Sequence, residues 1–479
     1  MKKDSHALSL DMGTSKVKAS IFDLNLNLIK NTSFPSNYSS VKDFIQTIEQ
    51  NLLSILKNEN ISVITGDGTS GTFILIDEKG NPLTDPIMYN SEDLITFKEI
   101  YNSNTFKDLI DKFELFPASP IIKLYGLLKN PNLKQKTRWI IPLTTYVLYR
   151  FVKNIGEKWD SLEVDFSNAL KLGVDVTRMD WNKEIFEKLN LPLEIFPKLV
   201  KSGTFMGEAI STLAKRLNLN NAIVMQGMTD GNAQALSAGA FEEYDLAINT
   251  GSTTSIKFVT NKIKKIKGMY YHIHPISGYL ASAATDSGMY YDLFLKLINY
   301  DYAKAEKLSE MVKLEDTFIF LPPGQRDPFR IPNMGSTILN LWYKSYKYDI
   351  EYMKGIFLRS ILNSISFLEQ YYIEIIQKTF KKINNIFISG GFANSTLLNQ
   401  IRANTFNTKI YIVEENVPLG ALIPAIINMY NYNLAEIKRN IKIKNKYFPQ
   451  EDQIEVYHKQ YLIFKYSWSK LSNFYKNYH

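Results

Sequence analysis

Asp230 is the residue of this sequence best suited by its position to act as a general base. The apolar, β-branched run at 222–225 predicts a buried strand, residues 226–231 predict a turn, and the small residues at 232–240 predict a helix. Asp230 would therefore lie where a strand passes into a helix, and a carboxylate held rigidly there can accept a proton from an alcohol. An Asp in front of a helix can equally be a simple N-cap, so the rest of the chain has to decide its role.

Two hydroxyl-rich turns have the composition of phosphate-binding loops. The first turn follows a predicted strand at 7–10 and contains Asp11, Gly13, Thr14, Ser15 and Lys16. The second follows a predicted strand at 245–249 and contains Thr250, Gly251, Ser252, Thr253 and Thr254. Backbone N–H groups and hydroxyls in such turns can bind phosphate oxygens, and Lys16 or Lys18 would add positive charge. Each turn taken alone can also be a plain hairpin connection.

The two turns lie about half the chain length apart, and each joins two predicted strands. A duplicated core with one hydroxyl-rich hairpin in each half explains this arrangement. Two such hairpins facing each other across a cleft would hold a nucleoside triphosphate from both sides. We therefore expect an α/β fold of two domains with an interdomain cleft, the first domain at 1–238 and the second at 239–479.

Two further turns are suited to ligand binding. The turn at 66–72 contains Ser70, and its small, hydroxyl-bearing residues would leave room for a polyol and bond to it. Gly390 and Gly391 follow a predicted strand, and the absence of side chains lets a planar ring approach the backbone. Asn394 can either cap the following helix or bond a ligand.

Composition limits the class of protein. A chain of 479 residues is too long for one compact core, and 45% apolar with 22% charged residues is ordinary for a folded soluble protein. The formal charge of +8 favours anionic partners without choosing between a nucleotide, a sugar phosphate and a nucleic acid. The absence of Cys excludes disulfides, thiolate catalysis and Cys-ligated zinc. No apolar stretch favours export or membrane insertion, so a cytoplasmic protein without a membrane partner is expected.

The remaining patterns predict packing elements. Apolar spacing predicts helices at 41–57, behind a Ser39-Ser40 cap, and at 350–377, and residues 117–151 are mainly helical. Residues 165–173 are predicted to form a loop. The stretch from about residue 431 is rich in Lys, Tyr and Asn, and we expect a solvated helical extension, with nucleic-acid contact as the alternative.

In this order, the motifs resemble those of the FGGY family of carbohydrate kinases, which is built on the actin-like (ribonuclease H-like) ATPase fold. Residues 11–18 resemble the first phosphate motif of that family, 250–254 the second, 389–394 the adenosine motif and 227–230 the catalytic-Asp motif. The resemblance covers most of the chain up to about residue 430. Four motifs in the same order are far more specific than any one of them.

Within the family, the sequence is most similar to the short D-ribulokinases once called xylulokinases. That likeness rests on the stretches 69–72, 87–90, 165–173 and 324–329. Ser91 departs from the pattern because an acidic residue commonly follows the Tyr-Asn pair, and Asp327 interrupts a Gly-Glu-Arg-Phe-Pro-Phe-like run. Both departures bear on the identity of the sugar more than on the type of reaction.

The resemblance implies transfer of the γ-phosphoryl group of ATP to a terminal hydroxyl of a ketopentose, with D-ribulose expected. D-Xylulose, another polyol such as glycerol, and a non-catalytic sensor are the alternatives, although a sensor has no need of a general base. The resemblance implies that Asp230, assisted by Thr14, is catalytic and that Asp11 and Asp230 hold Mg²⁺.

The same resemblance assigns the ligand-binding residues. Asp11, Ser70 and Asp230 would bind the sugar. The residues expected to bind ATP are Gly13, Thr14, Ser15, Lys16, Gly251, Ser252, Thr253, Gly390, Gly391 and Asn394. The expected partners are a small-molecule sugar and ATP, with no nucleic acid and no membrane, and whether the chain forms a homodimer is left open.

Overall fold

The computed structural model describes residues 5–266, 268–322, 335–340 and 347–478. The stretch 324–329, including Asp327, lies outside these described residues. The strands of the first half of the chain are β1 (His6–Met12), β2 (Lys16–Asp23), β3 (Leu28–Pro35), β4 (Ile61–Gly68), β5 (Phe73–Ile76), β6 (Trp139–Pro142), β7 (Glu163–Asp165), β8 (Val174–Asp175), β9 (Asp180–Trp181), β10 (Lys198–Val200), β11 (Phe205–Glu208), β12 (Ile223–Met225) and β13 (Met228–Thr229).

Helices connect these strands. They are α1 (Val41–Ile55), α2 (Leu94–Asn102), α3 (Lys107–Lys112), α4 (Pro120–Leu128), α5 (Pro131–Lys136), α6 (Leu143–Val152), α7 (Phe166–Ala169), α8 (Lys183–Lys188), α9 (Thr212–Arg216) and α10 (Asp230–Ser237), with 3-10 turns at Leu170–Leu172 and Leu193–Ile195.

The second half of the chain has the same mixture of elements. Its strands are β14 (Asp245–Thr250), β15 (Thr253–Thr260), β16 (Tyr270–Ile273), β17 (Tyr279–Asp286), β18 (Ile319–Leu321), β19 (Thr337–Leu339), β20 (Asn385–Ser389), β21 (Ile410–Val413) and β22 (Ile443–Tyr447). Its helices are α11 (Gly288–Ile298), α12 (Tyr302–Glu310), α13 (Ile350–Phe380), α14 (Thr396–Phe406), α15 (Val417–Tyr430), α16 (Leu434–Arg439) and α17 (Glu451–Tyr478), with 3-10 turns at Leu314–Asp316 and Gly391–Asn394.

These elements form two compact units. Unit 1 comprises residues 1–237, 272–277 and 416–440, and unit 2 comprises 238–271, 278–415 and 441–479, each as far as the structure describes them. The sequence-based division at residue 238 places 272–277 and 416–440 differently, and as a division into functional domains it remains a prediction. Across the described parts of the chain, no helix combines the length and apolarity needed to span a lipid bilayer.

Unit 1 is built on a sheet of order β11-β12-β4-β1-β2-β3, with β13 also paired to β4. Strand β2 pairs antiparallel with both β1 and β3. Strand β4 pairs parallel with β1, on the side away from β2. Helix α1 packs on this sheet through an apolar stripe that includes Phe44, Ile48 and Leu52. The predicted cap is confirmed, because Ser40 Oγ accepts the N–H of Asp43 at 3.0 Å.

The sheet of unit 2 repeats this topology, with the order β16-β17-β15-β14-β20-β21-β22. Strand β15 pairs antiparallel with both β14 and β17, and β20 pairs parallel with β14. The duplicated core predicted from the two hydroxyl-rich turns is therefore confirmed. In both units, the hydroxyl-rich turn begins at the end of the first strand. The end of the strand that pairs in parallel with that first strand lies next to it.

The region 117–151 is mainly helical, as predicted, with α4, α5 and α6, and the short strand β6 separates α5 from α6 because Trp139–Pro142 pairs antiparallel with β5. One local prediction is wrong for an identifiable reason. The stretch 165–173 is not a loop but contains α7, since Asp165 accepts the N–H groups of Ser167 and Asn168 and so caps a short helix.

The C-terminal stretch is not a solvated extension. Strand β22 pairs with β21 at the edge of the unit 2 sheet. Helix α17 buries Tyr457, Tyr461, Phe464 and Trp468 against the core of unit 2. The aromatic residues that made this stretch look unusual form the packing face of the helix.

Candidate active site

Two carboxylates lie side by side at the ends of the central strands of unit 1. Asp11 of β1 and Asp67 of β4 are register partners in a parallel pairing. Asp67 is fully buried, and no hydrogen-bond donor of the described residues reaches either of its oxygens. Burial raises the pKa of Asp67 well above its usual range, and the charges of Asp11 and Asp230 add to this effect. The three carboxylates therefore share one electrostatic environment.

Asp230 is the first residue of α10, directly after β13. The helix begins two residues earlier than predicted, so Asp230 lies within its first turn, where the helix dipole favours a negative charge. Its Oδ1 accepts the N–H of Gly231 at 2.6 Å. In β13, Thr229 is the register partner of Gly68. This pairing places Asp230 next to the end of β4, close to Asp67.

Close backbone approaches hold this junction in place. A Cβ at Gly227, just before β13, would lie 2.1 Å from the carbonyl oxygen of Gly66 in β4. A Cβ at Gly420 of α15 would lie 1.7 Å from the carbonyl oxygen of Ala233 in α10. Both distances are far below any real Cβ contact, so only glycine allows the packing that fixes the start of α10.

A network of buried hydrogen bonds holds Thr229, the residue that precedes Asp230. The N–H of Thr229 donates to Ser167 Oγ at 3.0 Å, and Ser167 Oγ donates to Asp165 Oδ2 at 2.6 Å. Ser202 Oγ and Asn168 Nδ2 also donate to the Asp165 carboxylate, at 3.0 and 2.6 Å. The sequence reasoning missed this role because it assigned 165–173 to a loop. The closely spaced Asp, Ser and Asn of that stretch are the signal that could have revealed it.

Ser70 lies in the turn between β4 and β5. Ser70 Oγ is buried and has no hydrogen-bond partner among the described residues, whereas its carbonyl oxygen accepts Lys171 Nζ at 3.3 Å. In the same turn, Thr69 Oγ1 and Thr72 Oγ1 are 2.8 Å apart, and Thr72 Oγ1 accepts the N–H of Tyr89 at 3.2 Å. An unpaired buried hydroxyl is costly, and a substrate hydroxyl would satisfy it.

A buried lysine holds the neighbouring turn around Tyr89. Lys123 of α4 donates from Nζ to the carbonyl oxygens of Met88 at 2.7 Å and Ser91 at 3.3 Å. Burial, and then the charge of Lys171, lowers the pKa of Lys123 to about 8. The ammonium form has three N–H donors and the neutral amine has two, so either form can bond both carbonyls.

Two tyrosines connect these turns with the first hydroxyl-rich turn. Thr14 Oγ1 lies 3.4 Å from the Tyr89 hydroxyl, and the Tyr38 hydroxyl donates to the carbonyl oxygen of Gly13 at 2.8 Å. Burial raises the pKa of Tyr38 to about 12, and the charges of Asp11 and Asp230 add to this shift. Unit 1 thus brings the first turn, the Ser70 turn and Asp230 into one region, with the side chains of Thr14, Ser15 and Lys16 exposed.

The carboxylates of unit 1 fit a hard divalent cation. Asp11, Asp67 and Asp230 bring three carboxyl groups together, and a cation would offset both the burial and the neighbouring charges that raise the pKa of Asp67. Within the described residues, no three His, Asp or Glu side chains form a complete metal-ligand set. Mg²⁺ does not need one, because it keeps several waters and is commonly held by one or two carboxylates together with phosphates.

In unit 2, the second hydroxyl-rich turn and the glycine turn lie against each other. Gly390 has φ +91°, and a Cβ there would lie 2.6 Å from the carbonyl oxygen of Thr250. Gly391 has open space on the side where its Cβ would point. In the second turn, the carbonyl oxygen of Ser252 accepts the N–H of Met289 at 3.0 Å.

Asn394 is exposed at the end of the 3-10 turn that follows. The cap of α14 is Ser395, whose Oγ accepts the N–H of Leu398 at 3.1 Å. Of the two roles considered for Asn394, the capping role is therefore wrong. Its exposed amide leaves it available to a ligand.

The sequence matches two family models in succession. Residues 6–237 match the N-terminal domain of the FGGY family of carbohydrate kinases, and residues 285–429 match its C-terminal domain. The chain belongs to this family. A xylulose kinase of Staphylococcus epidermidis is 21% identical over 96% of this chain and 95% of that protein. A glycerol kinase of Saccharolobus islandicus is 24% identical over 92% of each.

A solved structure shows that the fold is also shared. The ligand-bound xylulose kinase from Lactobacillus acidophilus superimposes with a TM-score of 0.86 at 17% identity, over 99% of this chain and 100% of that one. The expected family and two-domain α/β fold are thus confirmed, and this FGGY kinase is a phosphotransferase of a family that uses ATP as phosphate donor. Asp11, Thr14, Ser70 and Asp230 come together within unit 1, and Gly251, Gly390 and Asn394 belong to unit 2.

Proposed function

We propose that this FGGY kinase transfers the γ-phosphoryl group of ATP to a terminal hydroxyl of a ketopentose, with D-ribulose as the preferred acceptor. The observation that carries the proposal is the position of Asp230 at the first turn of α10, in the same electrostatic environment as Asp11 and Asp67. A carboxylate fixed on a rigid element, in a unit whose turns carry Thr14 and Ser70, is suited to accept a proton from a bound alcohol.

In the proposed reaction, Ser70 Oγ and the carboxylate of Asp11 bind hydroxyls of the sugar and orient its terminal hydroxyl toward Asp230. Asp230 accepts the proton of that hydroxyl while its oxygen bonds to the γ-phosphorus of ATP. The bond from the γ-phosphorus to the bridging oxygen breaks, and ADP leaves with the electron pair. General-base assistance of this kind is typically worth about 10²–10⁴-fold, and positioning contributes much of the remainder.

The nucleotide would be bound through backbone and hydroxyl groups. Gly13, Thr14, Ser15 and Lys16 would contact phosphates, as would Gly251, Ser252 and Thr253. Gly390, Gly391 and Asn394 would contact adenosine, since the open side of Gly391 leaves space for a ring. Asp11 and Asp230 would hold Mg²⁺, which would neutralise phosphate charge when bound.

The choice of acceptor rests on different observations. The motifs at 69–72, 87–90 and 165–173 favour D-ribulose, and the Ser70 and Tyr89 turns that they form are bonded to each other. D-Xylulose is the second candidate, because relatives of full length carry the name xylulose kinase. Glycerol is the third, from the glycerol kinase relative.

A substrate panel tests the proposal. ADP release is measured with D-ribulose, D-xylulose, L-ribulose, glycerol and ribitol, each at saturating ATP and Mg²⁺. The proposal expects the highest kcat/KM for D-ribulose. A higher value for D-xylulose would show that D-xylulose, not D-ribulose, is the preferred acceptor of the proposed phosphoryl transfer. If none of the five compounds caused ADP release, the ketopentose proposal would be contradicted.

A further inference from the structure

A buried ion pair lies beneath the second hydroxyl-rich turn of unit 2. Glu369 of α13 and Arg402 of α14 are both fully buried. Arg402 Nε donates to Glu369 Oε2 at 2.8 Å, and Nη2 donates to Oε1 at 2.7 Å. This bidentate geometry fixes both side chains. Because a buried ion pair is often no more stabilising than apolar residues of similar volume, stability alone does not account for it.

The pair is bonded directly to the second turn. Thr250, the last residue of β14, accepts Arg402 Nη2 at its Oγ1 and donates from the same atom to Glu369 Oε1, both at 2.8 Å. Thr254 Oγ1 donates to Thr250 Oγ1 at 3.3 Å and lies 2.8 Å from Ser287 Oγ. The ion pair therefore fixes the start of the turn, and a hydroxyl chain extends from there to its end.

The same guanidinium also reaches the glycine turn. Arg402 Nη1 donates to Asn399 Oδ1 at 3.2 Å, and Asn399 Nδ2 donates to the carbonyl oxygen of Ala393 at 2.8 Å. Ala393 belongs to the 3-10 turn Gly391–Asn394. One arginine thus connects the turn assigned to phosphates with the turn assigned to adenosine.

We infer that Glu369 and Arg402 are positioning residues that hold these two turns in one relative arrangement, so that a nucleotide finds both halves of its site already spaced correctly. The inference rests on the proposed nucleotide-binding role of the turns. A ligand that spans both turns gains affinity from their fixed spacing, because its second half binds at high effective concentration. A ligand that touches only one turn gains nothing from it.

This distinction gives the experiment. The double variant Glu369→Gln/Arg402→Met removes both charges together, which avoids leaving one buried and unpaired. ADP, adenosine and tripolyphosphate are titrated separately by calorimetry without sugar. We expect the Kd of ADP to rise about tenfold, while the Kd values of adenosine and tripolyphosphate and the KM of the sugar stay within about twofold.

Two further variants make the result specific. Glu374→Gln is the matched control, because Glu374 lies on the same helix α13 and pairs with Lys465 of α17, and its ADP affinity should equal that of the wild type. Thr250→Val keeps the ion pair but removes its bond to the second turn, and it should also weaken ADP selectively if the double variant fails to fold.

Some outcomes would overturn the inference. An unchanged Kd of ADP in a folded double variant would show that the pair has no part in nucleotide binding. Equal weakening of ADP, adenosine and tripolyphosphate would show that the pair shapes each turn separately. Since these titrations contain no sugar, they do not depend on which acceptor the enzyme uses, and failure of the substrate panel would leave them interpretable.

Discussion

Asp11 and Asp67 are register partners on the adjacent parallel strands β1 and β4, so two carboxylates face the same end of the unit 1 sheet. Asp67 is the more deeply buried of the two. Its position has a cost, because burial disfavours the charged carboxylate and the charges of Asp11 and Asp230 add to that effect. Proteins retain such costs mainly where a functional site needs the charge.

The substitution Asp67→Asn should stabilise the fold and weaken the response to Mg²⁺. An amide of the same shape removes the repulsion, and we expect the free energy of unfolding at pH 7 to rise by about 1 kcal/mol. With less negative charge at the site, the Mg²⁺ concentration for half-maximal activity should increase severalfold. Urea unfolding and a Mg²⁺ titration of ADP release measure the two effects.

Asp23→Asn serves as the control for that experiment, because Asp23 lies at the opposite end of β2 and accepts the N–H of Asn27 at 2.8 Å. This variant should change neither quantity appreciably. A loss of stability in Asp67→Asn would show instead that the fold requires the charged carboxylate.

The substitution Asp230→Asn should abolish most of the turnover while ATP still binds. The amide keeps the size of the side chain but cannot accept the proton, so kcat should fall by about 10²–10⁴-fold. The Kd of ADP should stay close to that of the wild type, because the adenosine and second phosphate turns lie in unit 2. Single-turnover kinetics and ADP calorimetry check these expectations, and normal turnover on every acceptor would end the general-base assignment.

The sequence was sufficient to predict Asp230 as a candidate base and to predict the duplication of the core. It did not indicate that Asp67 lies beside Asp11. Glycine at 66 and 68 indicates a turn by local rules. In the structure β4 continues through Gly68, because parallel pairing with β1 extends to Met12. A Cβ at Gly66 would lie 2.6 Å from the carbonyl oxygen of Leu10. These glycines therefore reflect close strand packing, which only the tertiary structure reveals.

Other features could not be predicted because they depend on distant partners. Glu369 and Arg402 are widely separated in sequence, and neither stands in a recognisable motif. Strand β6 forms because β5 is available to pair with it. In α17, Tyr457 and Trp468 look like surface residues by composition until the core of unit 2 covers them. Local pattern therefore located the hydroxyl-rich and glycine-rich turns better than the elements that support them.

Lys123 gives a prediction for pH dependence. Its pKa is lowered from the ordinary 10.5 to about 8 in the folded protein. Above about pH 8, the unfolded chain holds a proton at this residue that the folded chain lacks, so this residue makes the protein more stable as the pH rises toward 10.5. Below about pH 8 both states are protonated, and Lys123 contributes no pH dependence.

The test compares the wild type with Lys123→Met by urea unfolding between pH 7 and pH 10. The unfolding free energy of the wild type minus that of the variant should increase with pH, by at most about 1.4 kcal/mol per pH unit. Because the variant also loses the bonds to the carbonyls of Met88 and Ser91, the KM of the sugar should rise while that of ATP stays unchanged. A constant difference across this range would mean that Lys123 remains charged.

Gly390 and Gly391 are adjacent but should respond differently to substitution by alanine. At Gly390 the backbone has φ +91°, and a Cβ would meet the carbonyl oxygen of Thr250 at 2.6 Å. Gly390→Ala should therefore lower the free energy of unfolding by more than 1 kcal/mol, on the order expected for a strained backbone. At Gly391 the added methyl group meets no atom of the protein within 4 Å.

Gly391→Ala should thus leave thermal stability unchanged. It should nevertheless weaken the binding of adenosine and ADP, because the methyl group occupies the space proposed for the adenosine ring. Tripolyphosphate binding should not change in this variant. Differential scanning fluorimetry and calorimetry with the three ligands separate the two positions. If Gly391→Ala bound adenosine as tightly as the wild type does, the nucleoside would have to lie elsewhere in unit 2, and the assignment of Gly390, Gly391 and Asn394 to adenosine would be wrong.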